Sequence, residues 1–152
     1  MLIRLTRLSN DRHRLEIRRA DGSTEARELE TRSLLAHDLV HYSVEAEGQL
    51  VSGFYGALAR GAHLTDPFEP TGEAMMIETI VGPMQSALAA NRLSEPPEAF
   101  IAGIAAYLAQ TGRVPPAWLT PDYVSAVRER LRQVLGQWRA TPFGETMELT
   151  FP

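Results

Sequence analysis

Apolar and polar positions alternate at both ends of the chain and recur at helical spacing between them. Residues 2 to 8 place Leu2, Arg4, Leu5 and Arg7 in imperfect alternation, and residues 13 to 19 set Leu15 and Ile17 on one face between charged neighbours. Both segments read as half-exposed strands. Asn10-Asp11 marks a turn, and Asp21-Gly22 is a hairpin signal ahead of a third, polar strand from about Thr24 to Leu29. At the far end Met147, Leu149 and Phe151 alternate with Glu148 and Thr150 after the Pro142-Phe143-Gly144 turn. A strand there needs a partner, and the N-terminal meander is the one available.

From Thr31 the period becomes helical. Thr31 or Ser33 is suited to cap a helix that Gly48 ends. In the next helical stretch, about Leu50 to Arg60, Gly53 and Gly56 permit close packing against the first helix. A helix from Glu73 carries Ile77, Ile80, Val81, Met84 and Leu88 on one side, with Gly82-Pro83 expected to kink or break it. Met75, Met76 and Met84 read as core filler. Ser94-Glu95-Pro96-Pro97 starts a helix with Phe100, Ile101, Ile104 and Leu108 inward and Gly112 as its stop. Thr120-Pro121-Asp122 opens the last, with Val124, Val127, Leu131, Val134, Leu135 and Trp138 as its buried stripe. Its opposite face, Arg128, Glu129, Arg130, Arg132 and Gln137, is expected to be solvated. The pattern predicts a single α+β domain: a β-meander over 1–30, a helical region over 31–139 and a closing strand over 145–151. Its small antiparallel sheet of three or four strands is covered on one face by four or five helices.

Composition narrows the chemistry. With 152 residues and 44% hydrophobic content, the chain is long enough for one domain with a core and short for two. A net charge of −4 with 22% charged residues argues against intrinsic disorder and against a nucleic-acid partner. No apolar stretch approaches the roughly 20 residues that span a bilayer, and Met1-Leu2-Ile3-Arg4 opens an alternating pattern rather than a signal peptide. No membrane partner is expected, and the cytoplasm is the expected location. The pattern sets no oligomeric state and is compatible with a homo-oligomer. There is no cysteine, which excludes disulfides, thiolate nucleophiles, iron–sulfur clusters and cysteine-ligated zinc. All 15 Lys+Arg positions are arginine, which excludes Schiff-base chemistry and a P-loop lysine. Arginine in place of lysine is also what coding bias in a GC-rich bacterial genome produces.

Chemistry concentrates in His37-Asp38-Leu39-Val40-His41-Tyr42-Ser43-Val44-Glu45. At about 100° per residue, His37, His41 and Glu45 fall within roughly 80° of one another, with Asp38 slightly beyond. The rest of this helix is mostly apolar, so the polar arc is either its one wet stripe or the wall of an internal site. Histidines at i and i+4 project from adjacent turns of one face, the usual helical geometry for a shared metal. Glu45 is in phase as a third ligand or a general base, and Asp38 as a ligand or as the partner that fixes an imidazole tautomer. Two imidazoles, a carboxylate and an open position suit Zn²⁺, Fe²⁺ or Mn²⁺.

His37-Asp38-x-x-His41 resembles the H-D-x-x-H zinc motif of the ubiquinone-biosynthesis family of coenzyme Q assembly proteins, where the motif also lies on a helix followed by another helix. That family's glutamate comes twelve residues after the second histidine, a position held here by Gly53, which leaves Glu45 or Glu47 as the substitute. The resemblance covers five residues and implies a metal, not an activity. Asp38 stands where H-E-x-x-H metallopeptidases carry their longer glutamate, which argues against peptidase chemistry. No G-x-S-x-G elbow supports a serine hydrolase. More broadly, the Arg18-to-Gly22 hairpin, the His37-to-Glu45 helix, Gly53-Phe54-Tyr55-Gly56 and the closing Thr141-to-Leu149 segment resemble a small bacterial family spanning the whole chain, which implies one domain and carries no activity.

The expectation is therefore a domain that binds a divalent metal through His37, His41 and Glu45, with Asp38 and Glu45 as catalytic carboxylates of a hydrolase or lyase. The competing expectation is a non-enzymatic interaction or ligand-binding protein, in which the cluster is structural or a surface patch.

Overall fold

A computed structural model describes residues 1–152. Four strands, β1 (Leu2–Arg7), β2 (Arg12–Arg18), β3 (Thr24–Glu30) and β4 (Thr146–Thr150), form one antiparallel sheet in the order β3-β2-β1-β4. The register sets Ile3 opposite Ile17 and Leu149, and Leu5 opposite Leu15 and Met147. With a side-chain period of two, this places one apolar face against the helices. On the other face Arg4 bridges Glu16 at 2.7 Å and Glu148 at 3.0 Å, a solvated ladder that blocks a slip of one residue.

Five helices cover the apolar face: α1 (Ala36–Gly48), α2 (Phe54–Ala59), α3 (Glu73–Ala89), α4 (Pro97–Ala109) and α5 (Pro121–Ala140). Buried apolar side chains from the sheet and from each of these helices join one continuous core. None of the helices is long and apolar enough to cross a membrane. α1 runs through the middle of the layer. Its Val44 carbonyl accepts from the Tyr123 hydroxyl of α5 at 2.7 Å, and its Tyr42 hydroxyl donates to the Thr150 carbonyl of β4 at 3.1 Å. Leu39, Val40 and Val44 are fully buried around it.

Several local expectations are corrected. Thr31–Leu35 forms a single π-helical turn leading into α1, and its cap is Glu30, whose carboxylate accepts from the Ser33 N–H at 3.0 Å, rather than Thr31 or Ser33. α1 ends on Gln49 in the left-handed region (φ 50°), with Gly48 still helical. α2 is only Phe54–Ala59, since the turn from Leu50 occupies the residues before it. Met75 is exposed and only Met84 of the three methionines is fully buried. Arg128 is buried rather than solvated, because α4 crosses α5 there and lays Phe100 against its guanidinium at 5.5 Å.

α3 passes through Pro83 without a break. Gly82 and Pro83 face solvent, where water can satisfy the Thr79 carbonyl that loses its N–H partner, while Ile77, Ile80, Val81 and Met84 hold the opposite side in the core. Pro83→Ala should therefore restore that bond and raise stability by about 1–2 kcal/mol, less than the full helix-interior penalty because the unfolded chain gains freedom. Urea denaturation checks this, and a lower midpoint would show that Pro83 contributes packing.

Candidate metal centre

The polar arc of α1 faces inward. His41 is 2% exposed, Glu45 0% and Asp38 7%, while His37 is half-buried. α3 packs alongside α1 in the opposite direction and contributes Glu78 and Gln85, seven residues and so about two turns apart on one face. Glu78 Oε1 lies 3.2 Å from His41 Nε2, and Gln85 Oε1 lies 3.1 Å from His37 Nδ1. The two imidazole rings meet edge to face with centroids 4.6 Å apart.

His37, His41 and Glu78 together form a group that can hold a metal ion, each offering one ligand atom, with all three atoms within 4.8 Å of one another. A tetrahedral ion bound at about 2.1 Å sets its ligand atoms about 3.4 Å apart. The His41–Glu78 pair, at 3.2 Å, already stands near that separation, and closing on His37 requires a shift of at most about 1.4 Å. The Gln85 carbonyl accepts from Nδ1–H of His37, which leaves Nε2 of that ring with a free lone pair.

Glu45 is placed differently from the expectation. At i+4 its carboxylate meets the far side of the His41 ring, with Oε1 2.9 Å from Nδ1, while Oε2 accepts from the Gly56 N–H of α2 at 3.0 Å. Both oxygens are engaged and buried on the Nδ1 side of the ring, away from the Nε2 that faces Glu78. Gly53 explains the space it occupies: a Cβ there would fall on the Glu45 carboxylate, 2.6 Å from Oε1 and nearer still to the rest of the group. No side chain, glutamate included, fits at position 53 while Glu45 sits there.

Burial disfavours the charged form of His41, but hydrogen bonds and charges from Glu45 and Glu78 outweigh it and raise its pKa to about 9. The hydrogen bond with His41 also holds the Glu78 carboxyl below its usual range. Asp38 is pushed up to about 7 by burial, which the nearby His41 charge only partly opposes, and its Oδ2 has no hydrogen-bond partner. Below it Tyr55 is fully buried, its hydroxyl likewise unpartnered and its pKa raised by burial and by the charges of Asp38 and Glu45. Without a metal, both nitrogens of His41 face carboxylates, an arrangement that favours its protonated form. An ion at Nε2 would displace its proton and leave a carboxylate–histidine–metal arrangement on α1.

The loop between α2 and α3 keeps His63 and Asp66 away from the cluster. His63 Nδ1 lies 2.9 Å from Glu25 Oε1 on β3, and Asp66 caps the His63 N–H at 2.7 Å. The loop instead supplies Phe68, which meets Phe54 at 6.0 Å, and Phe54 in turn meets His41 at 5.9 Å. Glu78 and Gln85 were not singled out from the sequence. Their signal is two polar positions a heptad apart inside the apolar run of α3. A cavity of about 420 Å³ lies away from the cluster, between α3 and α4, lined by Ala87, Phe100, Ile104 and Tyr107.

Comparison of the chain with protein-family models, with curated proteins and with solved structures finds no match.

Proposed function

We propose that this protein binds a divalent metal ion, Zn²⁺, Fe²⁺ or Mn²⁺, through His37, His41 and Glu78, with Glu45 and Gln85 orienting the two imidazoles. The observation that carries this reading is the convergence of three ligand atoms from two helices, each imidazole held from behind by a second polar side chain. Metal-bound histidines are almost always held in this way, and it fixes the nitrogen that faces the ion. Two imidazoles and one carboxylate leave coordination positions open, so the ion would supply Lewis-acid polarisation and water activation. In its catalytic form, as a hydrolase or lyase, the proposal gives Asp38 the part of general base, because its Oδ2 is buried and unpartnered and its carboxyl lies near the His41 charge. The cavities of about 420 and 470 Å³ on α3, α4 and α5 are lined by no member of the cluster, which supports metal binding more strongly than it supports turnover.

Elemental analysis of untagged protein is the first test. Near-stoichiometric metal is expected in the wild type, none in the His37→Ala/His41→Ala double variant, and about 10–100-fold weaker binding in Glu45→Gln, which keeps the shape but weakens the hold on His41. Protein that arrives metal-free and fails to bind added Zn²⁺, Mn²⁺ or Fe²⁺ sinks the proposal. A second reading then takes over, favoured by one observation: both nitrogens of His41 already meet carboxylates, at 2.9 and 3.2 Å. In that case the cluster is an ion-paired clamp joining α1 to α3, in a protein that works by interaction or ligand binding.

A further inference from the structure

On α5, Arg128 is only 3% exposed, whereas Arg130, Arg132 and Arg139 reach solvent. Its Nη1 donates to the Glu95 carbonyl at 2.5 Å, but Nε and Nη2 find no acceptor. No carboxylate pairs with it, since the Glu95 side chain is taken by Arg92 at 3.3 Å. A buried guanidinium with two idle nitrogens and no counter-ion is costly, and a bound anion removes that cost. Arg128 lines a cavity of about 190 Å³ where the connection before α4, the first turn of α4 and the middle of α5 meet. Arg132, one turn along α5, lines the same cavity with Ser94, Ser125 and Pro97. The N-terminus of α4 adds no donor of its own, since Pro96 and Pro97 lack an N–H and Glu98 already answers its dipole. Glu95 is the only acidic residue of the lining.

We propose that this cavity binds a phosphate group, with Arg128 and Arg132 as the positive charges and Ser94 as a hydroxyl donor. The guanidinium fork of Arg128 suits the bidentate geometry of phosphate oxygens, while Arg132, held by the Glu129 carboxylate and the Leu93 carbonyl, adds positive charge at the rim. Nε and Nη2 are closed to water, so seating the oxyanion turns the guanidinium of Arg128 toward the cavity that it lines. The site lies on α4 and α5, apart from the histidine cluster on α1 and α3, and stands whether or not a metal binds there.

The test uses the full chain stripped of metal, so that phosphate cannot act through an ion. Inorganic phosphate is titrated against sodium chloride at matched ionic strength, followed by thermal midpoint and by amide chemical shifts. A second arm measures flotation with vesicles of phosphatidic acid in phosphatidylcholine against phosphatidylcholine alone, which separates a lipid headgroup from a free phosphate. Saturable binding is expected in at least one arm, at least tenfold weaker in Arg128→Met, Arg132→Gln and Ser94→Ala, and unchanged in Arg14→Gln on the sheet. If Arg128→Met does not fold, the other two variants decide. Absence of saturable binding in both arms overturns the proposal, as does binding that Arg132→Gln and Ser94→Ala leave intact.

Discussion

Gly53→Ala is expected to lower stability by about 3–5 kcal/mol and to destroy metal binding, although it adds one methyl group. That methyl would land on the Glu45 carboxylate. A flexible side-chain end could often move aside, but this one cannot. One oxygen is held by His41 and the other by the Gly56 N–H, and the residue has no exposed surface into which to swing. Either the α2 backbone retreats, or Glu45 leaves and strands the His41 imidazolium with half its counter-charge in the interior. Removing one partner of a buried pair is the expensive direction, because the charge left behind stays desolvated. Gly136→Ala supplies the control: a Cβ there meets nothing within 4 Å on an exposed face of α5, so it should stabilise by about 0.5–1 kcal/mol. Denaturant midpoints and metal titrations of both variants test the account. A Gly53→Ala protein within about 1 kcal/mol of wild type, with its metal affinity intact, would falsify it.

The second large effect is one of pH. Metal-free protein should lose on the order of 3 kcal/mol of stability through His41 as pH rises from about 6.5 to 9. The sign follows from the direction of the shift. The folded state binds the His41 proton more tightly than the unfolded chain does, so the stabilisation is complete below the ordinary histidine value of 6.5 and gone above the folded value of about 9. Asp38 pushes the same way at lower pH, since its raised pKa makes ionisation costly between about 4 and 7. His13 and Glu78 oppose: the first is held neutral by burial and loses stability below its ordinary value, and the second gains stability as its carboxyl ionises. The difference between wild type and His41→Gln across pH 6, 7.5 and 9 isolates the His41 contribution. With saturating Zn²⁺ this loss should disappear, because neither the metal-bound folded state nor the unfolded chain carries the His41 proton above about 6.5. Parallel pH profiles for the wild type and the variant would rule out the clamped imidazolium.

The two halves of the problem were unequally legible in the sequence. The sheet was readable because alternation fixes which face is inward: Leu15 and Ile17 on β2 and Met147 and Leu149 on β4 all point to the helices. Pro83 and Arg128 misled because their fates depend on what lies across from them, solvent for the first and α4 for the second. The histidine pair was visible on one helical wheel, but Glu78 is on another helix, and no wheel shows which helices become neighbours. Glu45 was in phase and still misassigned, because phase gives the direction of a side chain and not which nitrogen of a ring it meets. Gly53 carried the missing information in plain view: a glycine that a short helix tolerates poorly implied something already occupying the place of its side chain.

The pairing of β1 with β4 joins residues as far apart as Arg4 and Glu148, 144 positions along the chain. During synthesis the first three strands emerge well before β4, and one long edge of β1 stays open until β4 follows all five helices. The nascent protein therefore passes a long interval with an unprotected hydrogen-bonding edge next to Ile3 and Leu5, the geometry that recruits foreign strands. Slow folding is expected from so distant a closure, and mutations that weaken β4 should first show themselves as aggregation during expression, before any loss of stability in the finished molecule.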